Sequence, residues 1–238
     1  MTTSGTASFN LDLNDIIEEA YERCGVEVRT GYEHRTARRS LNLLFADWAN
    51  RGINLWTIEQ GSFNLTQGVA TYSLPVDTVD LLEHVIRTGA GNSATQADLT
   101  ISRISVSTYA TIPNKLTQGR PIQVWVNRQS GATTPTGVNS PEINVWPTPD
   151  GSQTYQFVYW RMRRIQDAGG GTSTQDIPFR FLTCLVSGLA YYLALKIPEA
   201  LNRLEPLKQM YDEAWDLAAG EDREKAPDRL VPRRMYIS

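Results

Sequence analysis

The fold is decided by the segment DIPFRFLTCLVSGLAYYLALKIPE, residues Asp176–Glu199. Asp176 is a favourable N-cap and Pro178 suits a first helical turn, so we predict a helix that runs to Lys196. Apolar residues lie on nearly every side of this helix: Phe179, Leu182, Leu185, Val186, Leu189, Tyr192 and Leu193. The uncharged run after Arg180 is shorter than the roughly 20 residues that cross a bilayer. We therefore expect a core helix that other helices enclose.

Amphipathic helices on both sides of this segment in the chain can enclose it. The first begins at its N-cap Asp12 and ends at Gly25, and the second runs from about Tyr32 to Asn50. Their apolar stripes are Leu13, Ile16, Ile17, Ala20 and Cys24 in the first, and Ala37, Leu41, Leu44, Phe45 and Trp48 in the second. A last helix after Pro206 presents Leu207, Met210, Tyr211, Ala214 and Leu217. Neither pair can bury its stripe alone, so the N- and C-terminal helices are predicted to form one bundle.

Residues 55 to about 165 alternate between polar and apolar side chains, which predicts strands. We interpret Phe63–Leu65 and Ala70–Leu74, on either side of Gln67-Gly68, as a hairpin. Further strands are predicted at Leu82–Ile86, Leu99–Ile101, Pro121–Asn127, Glu142–Trp146 and Tyr155–Arg163, with a short helix from Ser105 to Ile112. The long polar loops Gly89–Asp98 and Ser130–Pro141 are interpreted either as contact loops or as mobile tips.

These elements predict an α+β protein: a helical bundle with an inserted β-rich domain and an extended C-terminal tail. The predicted divisions are 1–54 for the N-terminal helices, 55–166 for the β-rich insertion, 167–220 for the C-terminal helices and 221–238 for the tail. The glycine-rich segment Asp167–Gln175 is predicted to be a flexible joint.

The composition argues against several function classes. The net charge of −3 shows no basic excess of the kind that marks a dedicated nucleic-acid binder. Cys24 and Cys184 are far apart on apolar helix faces, which argues against a disulfide framework or a zinc site. His34 and His84 lie outside any metal-binding motif, so each is interpreted as a surface or hydrogen-bonded core residue. We therefore predict no catalytic residue, metal or cofactor, and no membrane contact or secretory signal.

Two charged helix faces are candidate contact surfaces, the acidic face with Glu18 and Glu22 and the basic face with Arg35, Arg38 and Arg39. Helical spacing places the three arginines close together. They could bind phosphate, but in an acidic protein we favour ion pairs within the subunit or with a neighbouring subunit. The run Arg161–Arg164 is interpreted as a solvated or interface edge of the last strand.

The tail from residue 221 onward contains too few apolar residues to form a core, and Pro227 and Pro232 interrupt any helix. It carries apolar anchors with positive charges between them: Leu230, Val231, Arg233, Arg234, Met235, Tyr236 and Ile237. This pattern is typical of an extended peptide that docks in a groove or adds to a sheet edge. A disordered tail is the alternative.

Several stretches resemble one known family. They are LNLLFADWANRGINLWTIEQGSFNLTQGVATYSLPVDTVDLLEHVIRT (Leu41–Thr88), ISRISVSTYATIPNKLTQGRPIQVWVNRQ (Ile101–Gln129), INVWPTPDGSQTYQFVYWRMRRIQDAG (Ile143–Gly169) and the segment Asp176–Glu199 quoted above. Together they cover most of the chain and resemble the head-to-tail adaptor proteins of short-tailed bacteriophages, also called tail tubular protein A or portal-bound tail accessory factor. None of these stretches is a catalytic signature.

The resemblance implies a structural virion protein at the portal vertex, assembled in the cytoplasm of the host bacterium. It implies a homo-oligomeric ring, commonly of twelve subunits, between the portal protein and the tail nozzle protein. The C-terminal segment would bind the portal, and DNA would pass through the lumen without specific binding. In such a ring the acidic and basic helix faces would meet between subunits.

Two other functions stay open at this stage. Phage tail proteins sometimes carry a carboxylate-dependent peptidoglycan hydrolase, which a zymogram would detect. A DNA-binding regulator that uses the second helix would bind duplex in a salt-dependent manner, although the acidic composition counts against it.

Overall fold

The computed structural model describes residues 3–52, 55–128, 133–134, 137–138 and 140–223. The chain divides into two compact units, one from residues up to 44 together with those from 168 onward, and one from residues 45–167. We call them the helical unit and the β unit. The presence of both helices and sheets confirms the predicted α+β class. The domain limits given above stay a prediction.

The described part of the chain contains helices and strands in separate regions. The helices are α1 (Leu13–Cys24), α2 (Gly31–Asn50), α3 (Val106–Ala110), α4 (Leu182–Ala194) and α5 (Leu204–Glu221). The strands are β1 (Ile58–Asn64), β2 (Thr71–Ser73), β3 (Thr78–Thr88), β4 (Ala97–Thr100), β5 (Ser102–Ile104), β6 (Gln123–Asn127), β7 (Thr133–Thr134), β8 (Gly137–Val138), β9 (Glu142–Trp146) and β10 (Tyr155–Arg163). Single 3-10 turns cover Leu55–Thr57, Phe179–Phe181 and Pro198–Arg203.

Helix α4 forms the centre of the helical unit, where it packs against α1 and α5. Its residues Leu185, Leu189 and Leu193 are fully buried. A Cβ atom at Gly188 would lie 2.9 Å from the side chains of both Leu44 and Tyr211, so this glycine permits a close approach to α2 and α5. The prediction of an enclosed core helix is confirmed.

Local signals define the start and end of α1. The Asp12 carboxylate accepts a hydrogen bond from the Asp15 N–H at 2.9 Å. The Asp15 carboxylate in turn accepts one from the Asp12 N–H, and the two bonds form a capping box. Gly25 ends the helix with a φ of 79°. The predicted start of the later core helix is wrong, because Pro178 is extended (ψ 154°) and leads into a 3-10 turn. Helix α4 therefore begins only at Leu182.

The glycine-rich segment that was predicted to be a flexible joint is held by hydrogen bonds. The N–H groups of Leu13 and Asn14 donate to the carbonyl oxygens of Ser173 and Gly171 at 3.1 and 3.0 Å. The segment thus satisfies two of the N–H groups that the first turn of α1 leaves free. The Ala168 N–H also donates to Asn42 Oδ1 at 2.8 Å. For residues 168–173 the prediction of a flexible joint is wrong, because α1 and α2 both bind this backbone.

The β unit contains two four-stranded sheets with the strand orders β1-β10-β3-β4 and β2-β9-β6-β5, and β7 pairs with β8. All described pairs are antiparallel except the parallel pair β5 and β6. The inward side chains of both larger sheets share one core: Leu65, Leu74, Leu81, Ile86, Val124, Val126, Ile143, Val145, Tyr155, Phe157 and Tyr159. The first and last strands of the unit pair with each other, so the chain enters and leaves it at one place, as expected of an insertion.

The predicted hairpin around Gln67-Gly68 is wrong, because its two strands belong to different sheets. Strand β1 pairs with β10, whereas β2 pairs with β9. The connecting turn passes from one sheet to the other, with the Leu65 N–H donating to Tyr155 O at 2.7 Å and the Val145 N–H donating to Ala70 O at 2.9 Å. Alternation identifies a strand, but it does not identify the pairing partner.

The other predicted strands and the short helix of this region agree with the structure. Strands occur at all five of the later predicted positions, as β3, β4, β6, β9 and β10. Helix α3 begins after Ser105, whose hydroxyl accepts from the Thr108 N–H at 3.2 Å. The loop Gly89–Asp98 connects β3 to β4, with the Gln96 N–H donating to Asn92 O. Of the loop Ser130–Pro141, half of the residues lie outside the described part of the chain, and its role stays a prediction.

Candidate interaction surfaces

An acidic cleft of about 520 Å³ lies between the N-terminal arm, α1 and α4, and we call it the acidic cleft. It is lined by Phe9, Leu11, Asp15, Glu18, Glu19, Glu22, Arg23, Leu182, Thr183 and Val186. The Asp15 carboxylate accepts a hydrogen bond from the Asp12 N–H in the capping box of α1, and the Glu19 carboxylate accepts one from Arg23 Nε at 2.9 Å. Within the described residues Glu18 and Glu22 make no ion pair, so they are the free carboxylates of this cleft.

A basic cleft of about 330 Å³ contains two of the three predicted arginines. It is lined by Leu13, Asn14, Ile17, His34, Arg35, Arg38 and the glycines Gly169, Gly170 and Gly171. Arg38 Nε donates to the carbonyl oxygen of Ala168 at 3.1 Å, which fixes its guanidinium beside the glycine-rich backbone. Neither Arg35 nor Arg38 has a carboxylate partner in the part of the chain that the structure describes.

The third arginine, Arg39, borders a different and larger cleft of about 1260 Å³, which Glu22 and Lys196 also line. Lys196 Nζ donates to Ser40 Oγ at 2.7 Å, and burial together with Arg39 lowers the pKa of this lysine. The Tyr21 hydroxyl donates to Glu33 O at 3.3 Å, and burial raises its pKa to about 12. The cleft therefore mixes both signs of charge rather than concentrating one.

The acidic cleft and the basic cleft both border α1, but they share no lining residue. Glu18 and Glu22 line the acidic cleft, whereas Asn14 and Ile17 of the same helix line the basic cleft. Successive helical residues are rotated by about 100°, so the side chains of Glu18 and Glu22 leave the helix roughly a quarter turn away from those of Asn14 and Ile17. Glu18 therefore lines a different cleft from Arg35 and Arg38, whereas Glu22 and Arg39 both border the cleft of about 1260 Å³.

The predicted tail residues lie outside the described residues. These are Leu230, Val231, Arg233, Arg234, Met235, Tyr236 and Ile237. The last described residues are tied to the helical unit, because Arg180 Nη2 forms an ion pair with Asp222 at the end of α5. The start of the tail is therefore fixed beside the N-terminal end of α4.

Both cysteines are buried, as predicted from their places on apolar helix faces. Cys24 Sγ donates to Ala190 O at 3.3 Å, and burial raises the pKa of this thiol to about 11. A thiol with a raised pKa is a poor nucleophile at neutral pH. Cys24 therefore acts as a packing residue between α1 and α4.

The arginines at the end of β10 form an ion-pair network that sequence reasoning missed. Arg161 is 9% exposed, and its guanidinium contacts Asp77 Oδ1 at 2.5 Å, Thr78 Oγ1 at 2.9 Å and Glu59 Oε2 at 2.9 Å. Glu59 also accepts from Arg163 Nε at 2.6 Å. For Arg161 and Arg163 the interpretation as a solvated or interface edge is wrong, because β1 and the turn before β3 supply carboxylates to their guanidinium groups. Arg164 is exposed, in agreement with that interpretation. Arg161 lowers the pKa of Asp77 by a direct hydrogen bond.

His84 lies in β3 with its ring stacked on Phe157 at 6.0 Å between centroids. Both ring nitrogens are buried, and neither has a hydrogen-bond partner among the described residues. Burial lowers the pKa of His84, and the positive charge of Arg103 lowers it further. The interpretation of His84 as a hydrogen-bonded core residue is wrong, because neither ring nitrogen has a partner among the described residues.

Replacing His84 by phenylalanine is expected to stabilise the β unit by about 1–3 kcal/mol at pH 8, because two unpaired buried nitrogens are removed. The stability difference between the variant and the wild type should increase as the pH falls below about 6.5. In that range His84 of the wild type binds a proton when the chain is unfolded, but stays neutral when it is folded. Urea unfolding of both proteins between pH 8 and pH 5 measures this. A stability difference that does not change with pH would show that His84 charges normally in the folded protein.

No helix in the described residues is long and apolar enough to cross a membrane. Across the same residues, no group of histidine, cysteine, aspartate and glutamate side chains is arranged to hold a metal ion. In the part of the chain that the structure describes, the charged clefts are thus the candidate sites for contacts with other molecules.

The comparison with protein families identifies one match, to the model described as SU10 adaptor protein, over residues 10–233. A search of curated proteins finds no match. The family match spans both the helical unit and the β unit, and it confirms the resemblance to phage head-to-tail adaptors. The chain therefore belongs to the SU10 adaptor protein family, whose members are structural adaptors of the phage virion.

Proposed function

We propose that this chain is the subunit of an adaptor ring that joins the portal to the tail of a short-tailed bacteriophage. The family places the chain among proteins that contact portal and tail components. The ring, its stoichiometry, the individual contacts and the passage of DNA through the lumen are our inference. The resemblance implies twelve copies, with assembly in the host cytoplasm before the virion is complete.

The observation that carries the ring proposal is the presence of an acidic cleft and a basic cleft that share no lining residue. A closed ring requires heterologous contacts, in which one surface of a subunit meets a different surface of the next. Glu18 and Glu22 provide the acidic surface, and Arg35 and Arg38 the basic one, with Arg39 beside them. Complementary charges of this kind set the register of a contact and suppress wrong pairings.

The portal contact is assigned to the tail, which leaves the helical unit after Asp222. In its segment Leu230–Ile237, apolar residues flank the adjacent arginines Arg233 and Arg234. A short segment of this composition suits a groove on another protein, because the apolar side chains supply affinity and the charges supply register. The opposite side of the ring would receive the tail nozzle.

The proposal assigns DNA to the lumen without specific binding. A conduit that held many phosphates would release many counterions and would slow the passage of DNA. A subunit with a net charge of −3 is compatible with a lumen that binds DNA weakly.

Neither alternative function is favoured by an observation in the described residues. A hydrolase needs a carboxylic acid with a raised pKa, but the pKa values of Glu33, Asp77, Asp98 and Asp150 are all lowered by hydrogen bonds. A DNA-binding regulator would need a basic surface larger than the one formed by Arg35 and Arg38.

Electron microscopy of the purified chain mixed with the portal protein tests the proposal. We expect a ring of this chain coaxial with the portal. The same chain is also imaged without the portal. Rings in that sample would show that the chain closes a ring by itself, and their absence would show that the portal is needed as a template.

A further inference from the structure

The acidic cleft has the chemistry of a groove for a cationic and apolar peptide. Leu182 and Val186 provide an apolar floor, and Phe9, which is 76% exposed, adds a further apolar wall. Glu18 and Glu22 provide two exposed carboxylates along one side. Five of the ten lining residues are charged, four of them acidic and one basic, so the cleft favours a cation.

The spacing of the two free carboxylates adds a second reason to expect a cationic partner. Glu18 and Glu22 are four residues apart on α1, so their side chains are neighbours on one helix face. Like charges at this spacing destabilise a helix, and no cation in the described part of the chain compensates this pair. A bound guanidinium group would relieve the repulsion.

The C-terminal segment of the same chain has the complementary chemistry and starts nearby. Arg180 holds Asp222 at the end of α5, and Arg180 precedes Leu182 of the cleft by two residues. From Arg223 to Leu230 the chain advances seven residues, which can span up to about 25 Å when extended. Residues Leu230–Ile237 then supply two arginines and several apolar side chains.

We propose that the segment Leu230–Ile237 docks in the acidic cleft of its own subunit. Its arginines face Glu18 and Glu22, and its apolar side chains contact Leu182, Val186 and Phe9. Because the docked segment is tethered, its effective concentration at the cleft is high, and modest contacts suffice to hold it.

This inference concerns the free subunit and rests only partly on the proposed function. The same carboxylates are proposed above for the contact between subunits, and the same tail is proposed for the portal. Docking in the cleft therefore ends when the tail binds the portal or when a neighbouring subunit covers the cleft. Within one isolated chain, the inference can be tested without a ring and without the portal.

Disulfide trapping in the full-length chain tests the proposal. Thr183→Cys places a thiol in the cleft without removing a carboxylate, and Met235→Cys places the second thiol in the tail. Glutathione disulfide supplies the oxidant, and the buried Cys24 and Cys184 are expected not to react. The matched control is Phe179→Cys with Met235→Cys, because Phe179 is 80% exposed beside Arg180 but does not line the cleft.

We expect the Thr183–Met235 pair to form an intramolecular disulfide about tenfold faster than the control pair, because docking raises the local concentration of the tail thiol. Adding Arg233→Glu and Arg234→Glu should abolish the difference, as should Glu18→Lys with Glu22→Lys. Equal rates in the two pairs, or disulfides only between separate chains, would overturn the proposal. A ring on the portal together with equal rates would reject this inference and leave the adaptor proposal standing.

Discussion

Replacing Glu59 by glutamine and Asp77 by asparagine in one protein is expected to destabilise the β unit by about 3–5 kcal/mol. The effect is large because these carboxylates neutralise guanidinium groups that stay buried when the carboxylates are gone. Arg161 is only 9% exposed, and the side chain of Arg163 is 10% exposed. The two amides keep the shape of the replaced side chains, so the variant removes charge with little change of packing.

The network has an asymmetry that sharpens this expectation. The carboxylates of Glu59 and Asp77 are 44% and 48% exposed, whereas the side chain of Arg161 is 11% exposed. Removing the arginine leaves carboxylates that water can solvate, but removing the carboxylates leaves a largely buried cation whose remaining partner is the Thr78 hydroxyl. Arg161→Met added to the double variant should therefore restore most of the lost stability, because it removes the unpaired charge.

Urea unfolding of the wild-type, double-variant and triple-variant proteins measures these differences. The control is Asp98→Asn, which breaks the ion pair with Arg87 in the same sheet. Because the Arg87 side chain is 24% exposed, against 11% for Arg161, this variant should cost less than about 1 kcal/mol. If the double variant is as stable as that control, or if the triple variant is the least stable of all, the network does not support the fold in the way described.

Reversing the charge of Arg35, Arg38 and Arg39 to glutamate is expected to shift ring assembly to at least tenfold higher protein concentration. Each reversed side chain would face Glu18 and Glu22 of the next subunit, and such like-charge contacts cost several kcal/mol. Analytical ultracentrifugation of the chain, alone and with the portal, measures the shift. Because Arg38 also binds Ala168 O, circular dichroism must show that the variant is folded.

A compensating variant distinguishes the loss of a charge contact between subunits from a general loss of folding. Glu18→Arg with Glu22→Arg, added to the three reversed arginines, restores opposite charges across the contact and should restore assembly. Lys208→Glu on α5, an exposed position outside all three clefts, should assemble as the wild type does. Unchanged assembly of the triple reversal would remove these residues from the interface, and failure of the compensating variant in a folded protein would reject the proposed pairing.

Much of the fold could be predicted from sequence because its signals are local. Asp12 and Gly25 delimit α1 by their own backbone chemistry, and the uniform apolarity around Leu185 and Leu189 requires neighbouring helices. Strand positions follow from alternation for the same reason. The hairpin prediction failed at Gln67-Gly68 because pairing depends on distant strands, and residues 63 and 72 alternate equally well in one sheet or two.

The candidate surfaces were predicted only in part. Helical spacing identified Glu18, Glu22 and the arginines, but not that Arg39 borders another cleft, because this depends on how α1 and α4 pack. The network of Arg161 was missed since its partners precede it by more than 80 residues in the chain. The composition of the glycine-rich segment predicts a joint because the groups that bind the start of α1 are backbone carbonyls, which side-chain patterns do not reveal.

The most direct test of the account is the symmetry of the particle that the full-length chain forms on the portal. We expect a closed ring in which every subunit has the same orientation and α1 of each copy lies against α2 of the next. Averaged electron-microscopy images with rotational symmetry and this helix contact would support it. A chain that stays monomeric, does not bind the portal, and instead cleaves peptidoglycan would contradict it.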